Sequence, residues 1–558
     1  MVRISGWKKA IGSGVIAASL VGTQSGAQTI GLEEAKKASS TVEPSAVPKV
    51  AGQAAPNALL SGLVECPVAQ GSTPLENPTS PFTFYGYNGN GPMVPAPGDV
   101  QMPGHNIEAS KTEPDKNTYL VLEGQEGPDP HYNYGRHFLF QGHETGLAGY
   151  ITRVNLDADD AHRVTLFAFQ DRLGNPLPVF DGSTWDPWAR RLLFTAELGT
   201  GGGVWQATLD FPPVVEDISG SLGRGGYEGI QNDSDGNLWI VEDVGGKAGT
   251  VNTHAKQPNS FVYRFVPKNP SDLTKGKLQA LQVISIATNL PIVFHAGQAD
   301  ADILSGDVKN LHTYGKQFST HWITVHDTDV DGTTPFDANG LAKAKQATPF
   351  KRPENGQFRP GKGFTQFFFD ETGDTNASTE AGSAWGGFGG VFRLTQSGPS
   401  SNDGTLALFY LGDVAHTGLD NVAFWDRDHI VFVEDAGDGL HTQRNAFDSA
   451  YLFDVRSDYS HGAQPIRLLA LGRDASATLD SGLSSVSGSG FQNEGDNEIT
   501  GIHVSDGDPG IHGILGAQTP HPFRQGWRIF YTQQHGDNVT WEILRTGSAP
   551  FAWSDDFD

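Results

Sequence analysis

Cysteine is almost missing from this chain: its 558 residues include one, Cys66. A single thiol closes no internal disulfide and builds no Cys-based zinc site, so the fold must hold without cross-links. Methionine is nearly as scarce, at 3, and basic residues are few, with 38 Lys and Arg against 64 Asp and Glu for a formal net charge of −26. Nucleic acid is excluded as a partner because binding it needs a basic face that displaces counterions. An anionic membrane surface is disfavoured for the same reason. No stretch approaches the roughly 18 consecutive apolar residues of a membrane-spanning helix. His-Glu-x-x-His, Gly-x-Ser-x-Gly and Gly-Lys-Ser/Thr are absent too, which leaves zincin, serine-nucleophile and nucleotide-hydrolysing chemistry without local support.

Turn formers are abundant instead. The chain has 70 Gly and 33 Pro, yet 37% of it is hydrophobic and 10% aromatic, enough for a sizeable core with many turns and few long helices. Arg3, Lys8 and Lys9 precede a mildly apolar stretch and the small residues Ser25, Gly26 and Ala27, the layout of an export signal. The expected organisation is a signal peptide over 1–27, a flexible Ala/Ser/Pro/Gly/Glu linker over 28–81 that carries Cys66, and a folded catalytic domain over 82–558. A periplasmic or secreted monomer acting on a small molecule follows.

From residue 82 onward, short apolar alternations such as 117–122, 150–154, 163–168 and 261–265 predict half-buried strands between tight turns. Helix is expected chiefly at 338–345, with Asp337 as its cap. Three segments, 183–197, 228–242 and 420–434, each open on a hydroxylic or acidic residue, pass through a turn and close an apolar strand on Glu. Segments 354–371 and 498–532 are looser copies, and 137–144 is a partial sixth. Such a unit cannot bury its faces alone, so an all-β fold is expected, a six-bladed β-propeller with loop insertions. A multi-sheet β-sandwich whose acids bond turn amides is the alternative.

In a propeller, residues at the ends of the innermost strands converge near the axis. Converging carboxylates repel unless a cation sits among them, and Ca²⁺, which takes six to eight oxygens, is the natural one. Glu228, Glu354, Asp420 and Glu498 are the leading candidate ligands. Glu197, Glu144, Asp243 and Glu434, at the ends of the partnering strands, extend the set, and His143 and His535 stand at strand ends as well. Asp327, Asp329 and Asp331, followed by Gly332, resemble the opening of a calcium loop, although its twelfth position is Ala338, not Glu. Arg352 lies two residues from Glu354 across Pro353, so that both side chains can face one way. A guanidinium beside cations suits phosphate, and a plain salt bridge to Glu354 is the simpler alternative.

These residues resemble the PhoX family of exported alkaline phosphatases. The likeness rests on Gly226-Tyr227-Glu228-Gly229 with Leu238 to Asp243, on Arg352-Pro353-Glu354, on Asp420-Asn421 with Glu434-Asp435, and on Glu498 to Gly501 with Gln534-His535-Gly536. It spans about residues 138–538. The resemblance implies a propeller whose central face holds calcium and iron (Ca²⁺, Fe³⁺) bridged by oxygen, where phosphomonoesters are hydrolysed without a seryl intermediate. It implies Glu228, Glu354, Asp420 and Glu498 as ligands, with Arg352, Glu354 and Glu228 at the reacting phosphate. Family members bind iron through a Cys in the segment corresponding to 180–188. Here that segment has none, and Ser183, Thr184 and Asp186 are the oxygen-bearing substitutes. Lys8-Lys9 stands where the family's twin arginines would be, which favours general secretion. A calcium-dependent esterase or lactonase and a catalytically silent calcium-stabilised binding module are the other readings of such a scaffold.

Overall fold

Runs such as Leu238–Glu242 and His429–Glu434 are rich in β-branched and aromatic residues, and each pairs antiparallel with its chain neighbours. The computed structural model describes residues 57–71, 73–88, 110–145, 148–436, 440, 448–471, 498–524, 526–534 and 538–546. The protein is mostly β and propeller-like in arrangement. Four sheets have four or five strands, one has nine and one has two. The nine-stranded sheet runs from Tyr227–Asn232 at one edge to Gly356–Phe358 at the other.

The innermost strands meet in chain order. Pro114–Val121 touches Ser183–Asp186, which touches Tyr227–Asn232, then Gly356–Phe358, Leu419–Phe424 and Glu498–Ser505, and the last returns to Pro114–Val121. A closed ring around an axis results, and the multi-sheet sandwich is set aside. The fourteen-residue repeat of the sequence is the inner hairpin of a sheet: Tyr227 pairs with Glu242 and Leu419 with Glu434. Asp186, Asp233 and Asp426 fix the hairpin turns by accepting two backbone N–H bonds each, at 2.7–3.1 Å. Aromatic side chains fill the space inside the nine-stranded sheet. Trp239 stands edge-on to Trp322 and Phe358 with ring centroids 5.0 and 4.9 Å apart.

The expected helix is present as Ala338–Ala344, capped by Asp337, whose side chain accepts the Gly340 N–H at 2.9 Å. The expected linker is not a linker over its last part. Ala58–Leu59 pairs with Ile466–Ala470, and Leu63–Ala69 completes the final sheet beside Val539–Arg545. Leu63, Val64 and Ala69 are buried there. Pro67 sits at a register shift in this strand, which masks the alternation that would have identified it. Cys66 lies in the same strand, where burial pushes its thiol pKa up to about 11. The expected signal sequence and residues 28–56 lie outside the described residues. No described helix is long and apolar enough to cross a membrane.

Candidate metal centre

The inner strands deliver acids to one end of the axis because their ladders are interrupted there. Register shifts fall between Pro114 and Asn117, Tyr227 and Ile230, Leu419 and Val422, and Thr500 and His503. A bulge at the start of a strand re-aims its side chains, and the first three of these span Asp115, Glu228 and Asp420. Close approach of neighbouring strands completes the hub. A Cβ on Gly182 would come within 2.2 Å of the Glu228 carbonyl oxygen, and one on Gly229 within 2.5 Å of Asn355 Oδ1.

Eight carboxylates converge in four overlapping groups whose ligand atoms lie within 4.8 Å of one another: Asp115, Glu144 and Glu498; Asp115, Asp181 and Glu228; Glu144, Asp181 and Glu197; and Glu228, Glu354 and Asp420. Six of the eight carry the sequence expectation: Glu144, Glu197, Glu228, Glu354, Asp420 and Glu498. Asp115 and Asp181 were not foreseen. Asp115 holds in the first hairpin the place that Glu228 and Asp420 hold in theirs, a signal available had the strand before 137–144 been included in the repeat. Asp181 comes from the segment that lacks the family's Cys.

Burial, first of all, pushes these acids up, and mutual repulsion adds to it. Asp115, Asp181, Glu228, Glu354 and Glu498 lie well above the usual carboxylate range. Glu144 rises to about 7, Asp420 to about 8 and Glu197 to about 9. Neutral donors orient the cluster. Gln534 Nε2 donates to Glu144 at 2.9 Å and to Asp115 at 3.2 Å, Asn421 Nδ2 donates to Asp420 at 3.0 Å, and Thr500 donates to Asp115. Asp181 Oδ1 and Asp370 Oδ2 are buried without a hydrogen-bond partner.

Among the described residues, two cationic side chains bond groups of this region, and a third, Lys256, acts electrostatically on Asp243 and Glu354. Arg352 donates from Nε to Asp243 at 2.8 Å, and its Nη2 lies 2.7 Å from Asp243 and 3.5 Å from Glu354. Its side chain is 20% exposed and its backbone is left-handed, with φ of 59°. That conformation costs a non-glycine residue about 1–2 kcal/mol and clusters at functional sites. Burial lowers its pKa, but Asp243, Glu354 and Asp435 outweigh burial and hold it well above the ordinary value. The second is Lys116, 1% exposed, whose Nζ donates to Asn355 Oδ1 at 2.9 Å.

Other expected ligands are placed elsewhere. Asp243 faces the hub but serves Arg352. Glu434 belongs to none of the four groups; its carboxylate accepts the Thr417 and Ser449 N–H groups at 3.2 and 3.0 Å and so ties together the starts of the two strands that flank its own. The calcium loop at Asp327, Asp329 and Asp331 does not form. Asp327 caps the turn Thr328–Asp331 and pairs with Lys277 at 3.1 Å, Asp329 pairs with Lys268 at 2.6 Å, and Asp331 accepts the Asp327 N–H at 2.9 Å. Internal donors have taken the oxygens a cation would need. His143 is buried between Thr112 and Thr152, at 3.1 and 2.9 Å, and is structural. His535 lies outside the described residues.

The hub's donors are carboxylate oxygens, which suit hard cations such as Ca²⁺. No thiolate is present, and the three substitutes are engaged with other groups: Ser183 bonds Thr118 and the Lys116 carbonyl, Thr184 bonds Asn232, and Asp186 closes a turn. Iron here would be held by oxygen alone.

No protein-family model and no curated protein matches the sequence. Among solved structures, PhoX of Pseudomonas fluorescens in complex with vanadate, a transition-state analogue, is similar with a TM-score of 0.51 and 11% identity, covering 92% of this chain and 99% of that one. TolB of Acinetobacter baumannii matches more loosely, with a TM-score of 0.27 and 9% identity over 77% of this chain and 63% of its own. At such identities the likeness is one of fold, and the chain shares a propeller-like architecture with a phosphatase over nearly its whole length.

Proposed function

We propose that this chain is a PhoX-like, metal-dependent phosphoric monoester hydrolase, exported to the periplasm or beyond and working as a monomer. Its propeller has six blades when the nine-stranded sheet is taken as two, joined at their outer edges through Phe318–Asp327. The observation that carries the reading is the placing of a partly exposed, doubly anchored guanidinium, Arg352, at the rim of a buried carboxylate hub. Glu228, Glu354 and Asp420 form the part of the hub nearest Arg352, with Asp115, Asp181, Glu144, Glu197 and Glu498 completing it. Calcium is the favoured ion, with iron a second candidate. Bound there, such cations would polarise phosphoryl oxygens and stabilise developing negative charge.

The protein's own groups supply the rest. Arg352 grips two phosphate oxygens with a planar fork that lysine could not offer. Asp243 holds that fork still, so little ordering remains to be done when substrate arrives. Glu354 lies between Arg352 and the carboxylate group, linking phosphate binding to the ligand set. The test is hydrolysis of p-nitrophenyl phosphate, p-nitrophenyl acetate and a simple lactone with Ca²⁺, with and without Fe³⁺, alongside elemental analysis of the purified protein. Phosphate release that is lost in Arg352→Ala supports the reading. Turnover of the ester or lactone alone points to the esterase alternative, and inactivity on all three together with calcium-dependent melting points to a binding module.

A further inference from the structure

Lys116 stands in the innermost strand of the first sheet, yet its ammonium bonds Asn355, which immediately precedes the inner strand on the opposite side of the ring. The side chain therefore crosses the axis. Both residues are fully enclosed, at 1% and 0% exposure. Burying an ammonium with one neutral acceptor costs several kcal/mol unless charges of opposite sign surround it. Acidic side chains do stand around it: Asp420, Asp115, Asp370 and Glu228 all favour its charged form, although burial is the larger effect and lowers its pKa.

The floor of the hub is also short of partners. Asp370 Oδ2 and Asn355 Nδ2 are both buried without a hydrogen-bond partner, although Asp370 Oδ1 accepts the Asn355 N–H at 2.8 Å. Without the lysine head, Asn355 Oδ1 and three of the carboxylates that act on its ammonium, Asp370, Asp420 and Glu228, would offer oxygens from three successive inner hairpins. That is the donor chemistry of a calcium site.

We propose that Lys116 is a built-in cation occupying what would otherwise be a further divalent-ion position, so that it limits how many ions the hub accepts. The role fits a hard point charge on a flexible stem better than the planar arginine fork used at the rim. It also separates two tasks: exchangeable ions near Arg352, and a side-chain cation reaching across the ring. This inference rests on the hub binding cations, and its experiment tells the two apart.

Calcium per chain is measured by elemental analysis after equilibrium dialysis of the full-length wild type, Lys116→Met and Lys116→Arg, together with the shift in melting temperature on adding Ca²⁺. Lys116→Met is expected to hold one more Ca²⁺ per chain than wild type and to gain more from added calcium, while Lys116→Arg matches wild type. Equal, non-zero counts in all three proteins would overturn the role of Lys116 and leave the metal-centre reading intact. Calcium in Lys116→Met but none in wild type would uphold the role of Lys116 and overturn the metal centre, and none in any protein would overturn both. Should methionine disturb folding, Lys116→Gln removes the charge at similar length and is read the same way.

Discussion

Two regions of this chain are dense in acid, and they differ in what answers the charge. At Asp327–Asp331 the carboxylates are met by Lys268, Lys277 and backbone N–H groups of their own turn. At the hub, eight carboxylates from distant stretches face each other, with Lys116 and Arg352 beside them. The first region had the more suggestive spacing in sequence, yet its needs are met internally. Convergence of buried carboxylates from distant stretches, not their spacing along the chain, is what sets the hub apart.

The sharpest way to break this contrast is at the rim. Arg352→Ala and Glu354→Gln should each lower hydrolysis of p-nitrophenyl phosphate by about 10²–10³-fold, the usual loss when a charge-stabilising group is removed. Asp329→Asn should leave the rate as it was. Rates unchanged in the first two would end the phosphatase reading.

Next in size is calcium-dependent stability. Ligand at a hundred times its Kd adds about 2.7 kcal/mol per site, so melting of the wild type should shift upward by several degrees on adding Ca²⁺. Glu228→Gln and Asp420→Asn should blunt that shift, whereas Asp327→Asn should not.

The pH dependence of the cation-free protein sharpens the comparison further. A carboxyl whose folded pKa is raised favours the protonated, folded form, so its stabilising effect is greatest below the ordinary value of about 4–4.5. That effect disappears as pH climbs through about 7 for Glu144, 8 for Asp420 and 9 for Glu197. Without cations, melting temperature should fall between pH 5 and 9, and saturating Ca²⁺ should flatten the profile. A profile that is flat without cations would mean the hub acids are not buried against one another.

Smaller effects separate structural acids from ligands. Glu434→Gln should cost about 1–3 kcal/mol in urea unfolding, because two buried N–H groups lose a charged acceptor, with calcium content unchanged. Asp331→Asn, at an exposed turn, should alter stability by no more than about 0.5 kcal/mol.

Much of this was legible in the residues. The fourteen-residue recurrence of acid, turn and apolar strand reflects a real hairpin, and the same recurrence marked out Glu228, Asp420 and Glu197. Lys116 and Asp181 escaped notice for a physical reason. Their place in the hub depends on bulges and on contacts between strands hundreds of residues apart, which no local pattern encodes. Leu63–Ala69 was hidden by Cys66 and Pro67, which interrupt the alternation by which an edge strand is recognised. Glu434 illustrates the opposite error: its position matched its relatives, but its carboxylate had local amides to satisfy.

Leu63–Ala69 hydrogen-bonds to Val539–Arg545, so an early described strand and the last one lie side by side in one sheet. During synthesis the first of these must wait unpaired until all the chain between them has emerged. The ring is fastened through the sheet that also supplies Glu498 and Gln534, so its clasp and part of the carboxylate hub take shape together.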